Sequence, residues 1–91
     1  MEINIMIVDD HAVVRDGLKM ILETAEGMHV VAMAKDGREA IHLAEGHRPD
    51  VIILDISMPG LNGIEAAREL HERLPTVKIL FLSMHHSTEH I

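Results

Sequence analysis

The chain has 91 residues, 47% of them hydrophobic, with a net charge of −7 at pH 7 and no cysteine. That length holds one small domain, and the lack of cysteine excludes disulfide and thiol chemistry. The acidic balance, with a pI near 5.5, argues against a surface that binds a phosphate backbone. No apolar run nears the roughly 20 residues needed to span a bilayer. The N-terminus has neither a basic lead nor a small-residue cleavage pattern, so a cytoplasmic protein without a signal peptide is the expectation. Phe81 is the one aromatic residue, so aliphatic side chains and seven methionines must fill the interior.

The run Ile5-Met6-Ile7-Val8 reads as a strand buried on both faces, and it leads into Asp9-Asp10. Val14, Leu18, Ile21, Leu22 and Ala25 then share one stripe of a helix, which Gly27 is placed to end. Val30 to Ala34 forms a second strand. Asp36 and Glu39 have the capping-box spacing and open a second helix to about Glu45, with Gly46 as its stop. Val51 to Leu54 is the third strand, ending at Asp55. Asn62 and Glu65 repeat the capping spacing and open a third helix through Leu74. Its inward stripe is Ile64, Ala67, Leu70 or His71, and Leu74, and Pro75 ends it. Val77 to Leu82 is the last strand, and residues 85–91 read as the start of a further helix with Ser87 at its N-cap.

The alternation β-α-β-α-β-α-β with short connections predicts an α/β domain with a parallel sheet and right-handed crossovers. Ligands of such sheets bind beyond the carboxyl ends of the strands. An Asp-Asp pair alone is an ordinary capped turn, and Pro59-Gly60 alone is an ordinary turn. Asp9, Asp10 and Asp55 delivered to one edge are different, because three carboxylates repel unless a cation or a shared proton relieves them. The eight histidines suggest no metal site of their own. His86 and His90 stand at i, i+4, but His11, His29, His42, His47, His71 and His85 are scattered over different elements, and no Cys joins them. His11 is expected early in the first helix, beside the acidic pocket, where it would tune the local charge.

The segments Ile7-Val8-Asp9-Asp10-His11, Leu54-Asp55-Ile56-Ser57-Met58-Pro59-Gly60, Asn62-Gly63 and Leu80-Phe81-Leu82-Ser83 together carry a resemblance. The chain resembles the receiver domain of bacterial two-component response regulators. Its Asp-Asp-His, Met-Pro-Gly-Leu-Asn-Gly and Leu-Ser-Met-His stretches are similar to the NarL-type subfamily, whose members carry a LuxR-type helix-turn-helix DNA-binding domain. The resemblance implies an incomplete flavodoxin-like, doubly wound sheet: four strands in order 2-1-3-4, three helices, and no fifth βα unit. Residues 1–91 would be one receiver domain, truncated at about the start of the fourth helix.

The resemblance also implies a signalling switch and not a turnover enzyme. Asp55 would accept a phosphoryl group from a sensor histidine kinase, with transcription as the regulated output. Mg²⁺ would be held by Asp10, Asp55 and the main-chain carbonyl of Ser57, with Asp9 acting through a water. Ser83 would hydrogen-bond the phosphoryl group, and the main-chain N–H groups of Ile56 and Ser57 would take its remaining oxygens. The family's Lys at the end of the fifth strand has no counterpart in these residues, and Lys78 falls at the wrong end of its strand. Metal binding is therefore expected to survive better than phosphorylation.

Two alternatives stay open. A truncated receiver would act as a dimerising or interaction module, as a homodimer or a domain-swapped assembly. The winding puts the first helix on one face and the next two on the other, leaving Val77–Ser83 as an uncovered apolar edge. An aspartyl-nucleophile phosphatase is disfavoured, because Ser57 stands where such enzymes place a second Asp. A nucleotide-binding module is disfavoured too, since no Gly-rich phosphate loop follows the first strand.

Overall fold

The computed structural model describes residues 1–56 and 63–82. Its elements are β1 (Ile3–Val8), α1 (Ala12–Leu22), β2 (Met28–Ala34), α2 (Gly37–His47), β3 (Val51–Asp55), α3 (Gly63–Arg73) and β4 (Lys78–Leu82). All three strand pairings are parallel, and the sheet order is β2-β1-β3-β4, as the alternation and the resemblance predict. The winding reverses between β1 and β3, so the edge beyond Val8 and Leu54 is the place where such sheets receive ligands.

Strand β1 is buried on both faces, and β3 is buried on one face and partly covered on the other, so both read as continuous apolar runs. Met6, Val8, Ile52 and Leu54 join Ala40, Ile41 and Ala44 of α2 and Ala66, Ala67 and Leu70 of α3 in one core. Ile5 and Ile7 alternate to the opposite side and are buried there. Helix α1 lies against β1 and β2, while α2 and α3 pack against each other.

Helix α2 begins where its capping residues predict. The Asp36 carboxylate accepts the Glu39 N–H at 2.8 Å, and Glu39 Oε1 accepts the Lys35 N–H at 2.8 Å. The expected stop at Gly46 is corrected: the helix continues to His47 and ends at Arg48, in left-handed conformation with φ 47°, whose N–H reaches the Ala44 carbonyl. One interior glycine costs a helix about 1 kcal/mol, too little to stop α2 one residue earlier.

The other corrections concern where helices stop and which way they face. Helix α1 ends at Leu22, not at Gly27. Gly27 instead makes the entry into β2 with φ +88°, its carbonyl accepting the Ile3 N–H at 2.7 Å. Ile21 is 66% exposed, and Ala25 lies past the helix and exposed. On α3, Ile64 is 59% exposed and His71 is exposed, while Ala66 turns inward. The rotation follows from Gly63, whose backbone lies so close to Asp55 and Ile56 that Gly63, Ala66, Ala67, Leu70 and Leu74 become the inward stripe. The expected Asn62 and Ser87 caps and the further helix over residues 85–91 lie outside the described residues.

Candidate functional site

Parallel register builds the site. Val8 pairs with Leu54, so the next residues along the two strands, Asp9 and Asp55, emerge at the same sheet edge. The Asp9 N–H donates to the Ala34 carbonyl at 3.0 Å, which extends the ladder and pins the start of the loop. Donor atoms of Asp9, Asp10, His11 and Asp55 all lie within 4.8 Å of one another. Asp9 and Asp55 are 0% and 1% exposed, whereas the Asp10 side chain is partly open to solvent.

Each carboxylate is held differently. Asp9 Oδ1 accepts the His11 N–H at 2.8 Å and also faces His11 Nδ1 at 2.8 Å. Asp10 Oδ1 lies 3.0 Å from the same Nδ1. Asp9 Oδ2 is buried and has no hydrogen-bond partner. The Arg15 guanidinium, one turn into α1, donates to the Asp9 main-chain carbonyl at 2.7 Å and fixes the loop from the helix side. On the β3 side, a Cβ at Gly63 would come within 2.4 Å of Ile56 Cα and 2.6 Å of the Asp55 carbonyl oxygen. Only glycine lets α3 start this close to the residue that delivers Asp55.

The electrostatics follow from this crowding. Like charges about 4 Å apart repel by roughly 4 kcal/mol at an effective dielectric near 20. The His11 imidazole answers part of that load, and its pKa is raised above 6.5, first by the hydrogen bond to Asp9, then by the charge of Asp10. A buried carboxylate oxygen without a partner is costly unless something else meets it. Three converging carboxylates and that orphaned oxygen are a donor set suited to a hard divalent cation.

The response regulator receiver domain family matches residues 5–91. The chain belongs to this family. It is 46% identical over 90 residues to the transcriptional regulatory protein DegU of Brevibacillus brevis, covering 99% of this chain and 38% of that protein. It is 51% identical over 88 residues to the oxygen regulatory protein NreC of Staphylococcus epidermidis, covering 96% of this chain and 40% of that protein. The chain thus spans about two-fifths of the length of these curated relatives. Among solved structures, it matches a LuxR-family two-component response regulator from Aurantimonas sp. with a TM-score of 0.89 at 38% identity, over 96% of this chain and 62% of that one. It matches the response regulator domain of Thermotoga maritima CheB with a TM-score of 0.85 at 39% identity, over 98% of this chain and 66% of that one. This is a receiver domain of the NarL/DegU type, with a flavodoxin-like sheet.

Of the residues predicted from the sequence, Asp9, Asp10 and Asp55 converge. Ser57 and Ser83 lie outside the described residues. Lys78 pairs with Val51, at the opposite end of the sheet from Asp55. One expectation is corrected: the Ile56 N–H is already committed, donating to the Leu82 carbonyl at 3.3 Å, because the β3–β4 ladder runs one residue past Asp55. It is not a free donor for a phosphoryl oxygen. Sequence reasoning missed Arg15, whose spacing one turn after the acidic pair was the available signal. It also missed the direct contact of His11 with two of the carboxylates. Among the described residues, no helix is long and apolar enough to cross a membrane.

Proposed function

We propose that Asp55 is the phosphoacceptor of a cytoplasmic signalling switch, loaded by a sensor histidine kinase. The supporting observation is the convergence of Asp9, Asp10 and Asp55 at the sheet's reversal point, with Asp9 Oδ2 buried and unpartnered. In the transfer, an Asp55 carboxylate oxygen attacks phosphorus and the P–N bond to the kinase imidazole breaks. The leaving nitrogen keeps the bonding pair and takes a proton, and an acyl phosphate remains on Asp55. Positioning and charge neutralisation carry most of such a reaction.

Mg²⁺ is the cation this reading assigns, held by Asp10, Asp55 and the Ser57 carbonyl, with Asp9 through a water. When bound, it neutralises charge that develops on the phosphoryl oxygens. The chain's own groups do the rest: Asp9 and Asp10 set the pocket's charge, Arg15 holds the loop, and Gly63 lets α3 start directly against the nucleophile's backbone. Ser83 is assigned the hydrogen bond to the phosphoryl group. We assign residues 1–91 to a single receiver domain. The output is transcription through a DNA-binding domain elsewhere in the full protein, and the protein acts as a switch without turnover of its own.

The test is incubation with Mg²⁺ and a small acyl-phosphate donor, followed by intact mass. Wild-type protein gains one phosphoryl group and Asp55→Asn gains none; equal labelling of the two overturns the assignment. A second reading, an interaction module that pairs with another copy, is favoured by one observation. Leu80 and Phe81 on strand β4 are 58% and 53% exposed, an apolar edge of the kind that recruits partners. Sedimentation showing a monomer at high concentration would remove it.

A further inference from the structure

We infer that His11 is itself a ligand of the acidic pocket, through Nδ1, and that this imidazole turns the site toward first-row transition cations of octahedral habit. The inference rests on the reading of the pocket as a cation site and goes beyond it by naming a nitrogen donor and the cation class that the donor selects.

The geometry carries it. Nδ1 lies 2.8 Å from Asp9 Oδ1 and 3.0 Å from Asp10 Oδ1. A cation with donors at about 2.1 Å places adjacent octahedral donors about 3.0 Å apart and opposite ones about 4.2 Å apart. The donor atoms of Asp9, Asp10, His11 and Asp55 lie within 4.8 Å of one another, close to that span, with Asp9 reaching the cation through a water. A second observation concerns satisfaction and not distance: Asp9 Oδ2, within the pocket, is buried and has no hydrogen-bond partner.

The local fold also explains why the imidazole is there. His11 is the N-cap of α1 with extended backbone angles, yet its side chain caps no helical N–H. Its Nδ1 faces the two carboxylates instead, and it ligates a cation there by releasing to solvent the proton it offers them. Carboxylate and water donors suit Mg²⁺, whereas imidazole adds affinity for Fe²⁺, Co²⁺ and Ni²⁺ along the usual order of divalent stabilities. An all-oxygen pocket follows the same order less steeply.

The test is calorimetric titration of the full chain with Mg²⁺ and, separately, Co²⁺, for wild type, His11→Ala and Asp10→Asn. A paired readout is the paramagnetic shift of the His11 ring protons on adding Co²⁺. His11→Ala is expected to weaken Co²⁺ binding by at least about tenfold, the scale of lost ligand support at metal sites, while Mg²⁺ affinity stays within roughly twofold by the same reasoning. The His11 ring protons shift and broaden. Equal change for both ions, no change for Co²⁺, or ring protons that do not respond would each overturn the inference, leaving His11 a hydrogen-bonding neighbour. Failure of the underlying reading looks different: wild type then binds neither ion, or Asp10→Asn binds both as wild type does, and the inference falls with it.

Discussion

Helices α1 and α3 have the same length, eleven residues, and both carry an apolar stripe, yet they sit in the molecule very differently. Helix α3 buries Gly63, Ala66, Ala67 and Leu70 completely or nearly so, and α2 packs alongside it. Helix α1 buries no residue: Val14, Leu18 and Leu22 are half-covered, and Val13, Met20 and Ile21 face outward. The difference lies in what flanks each helix. On the α2–α3 side, two helices share one face of the sheet and close it over Met6, Val8, Ile52 and Leu54. On the other side, α1 meets β1 and β2, and the outward residue Leu80 of β4 stays largely exposed. An amphipathic pattern names the face a helix can bury, and its neighbours decide how much of that face is buried.

The largest effect that would sharpen this contrast belongs to α3. Leu70→Ala empties a fully buried position and is expected to cost about 2–5 kcal/mol, read as a lowered urea midpoint with an unchanged slope. Gly63→Ala comes next: its methyl group meets backbone of Asp55 and Ile56, which cannot yield as a side chain can. A loss of roughly 1–3 kcal/mol is expected, together with weakened cation binding as the Asp55 loop is pushed aside. Retained stability with unaltered binding would show that α3 shifts freely. Ile21→Ala on α1 is expected to move stability by no more than about 0.5 kcal/mol, and a loss as large as that of Leu70→Ala would break the comparison.

The smallest effect is the pH response at the α1 N-terminus. Because the folded His11 pKa lies above its unfolded value of 6.5, the imidazole's contribution is fully present below pH 6.5 and disappears as pH rises through the folded value. In chelator-treated protein, the melting temperature of wild type relative to His11→Ala should therefore decline across that window. A flat difference would mean the charged imidazole adds nothing to folding. The side chain is well exposed, so solvent screening keeps the effect modest.

The places where sequence reading succeeded share a physical cause. The Asp36–Glu39 cap is local, since its partners lie within one turn and no distant element competes. Strand β1 was legible because double burial demands an unbroken apolar run. The convergence of Asp9, Asp10 and Asp55 was legible because parallel strands send their carboxyl ends to one edge, whatever the side-chain details. The misses were of another kind. Ile64 and Ala66 are both apolar and two positions apart, so periodicity alone could not choose the inward one; the close approach of Gly63 to β3 made the choice. Gly46 carries a stop signal, but α2 runs one residue past it and is closed by Arg48, whose N–H reaches the Ala44 carbonyl.

The order of residues along the chain determined the strand–helix alternation, the parallel sheet and the edge to which three acids are sent, because those depend on periodicity and on the handedness of short connections. Tertiary structure decided which atoms meet: that the Ile56 N–H pairs with Leu82, that Arg15 holds the Asp9 carbonyl, and that the His11 ring joins the carboxylates. Such contacts depend on distances of a few tenths of an ångström, whether between strands far apart in sequence, as for Ile56 and Leu82, or between the β1 loop and α1, as for Arg15 and His11. No local pattern encodes a distance of that kind; it emerges when the helices settle onto the sheet.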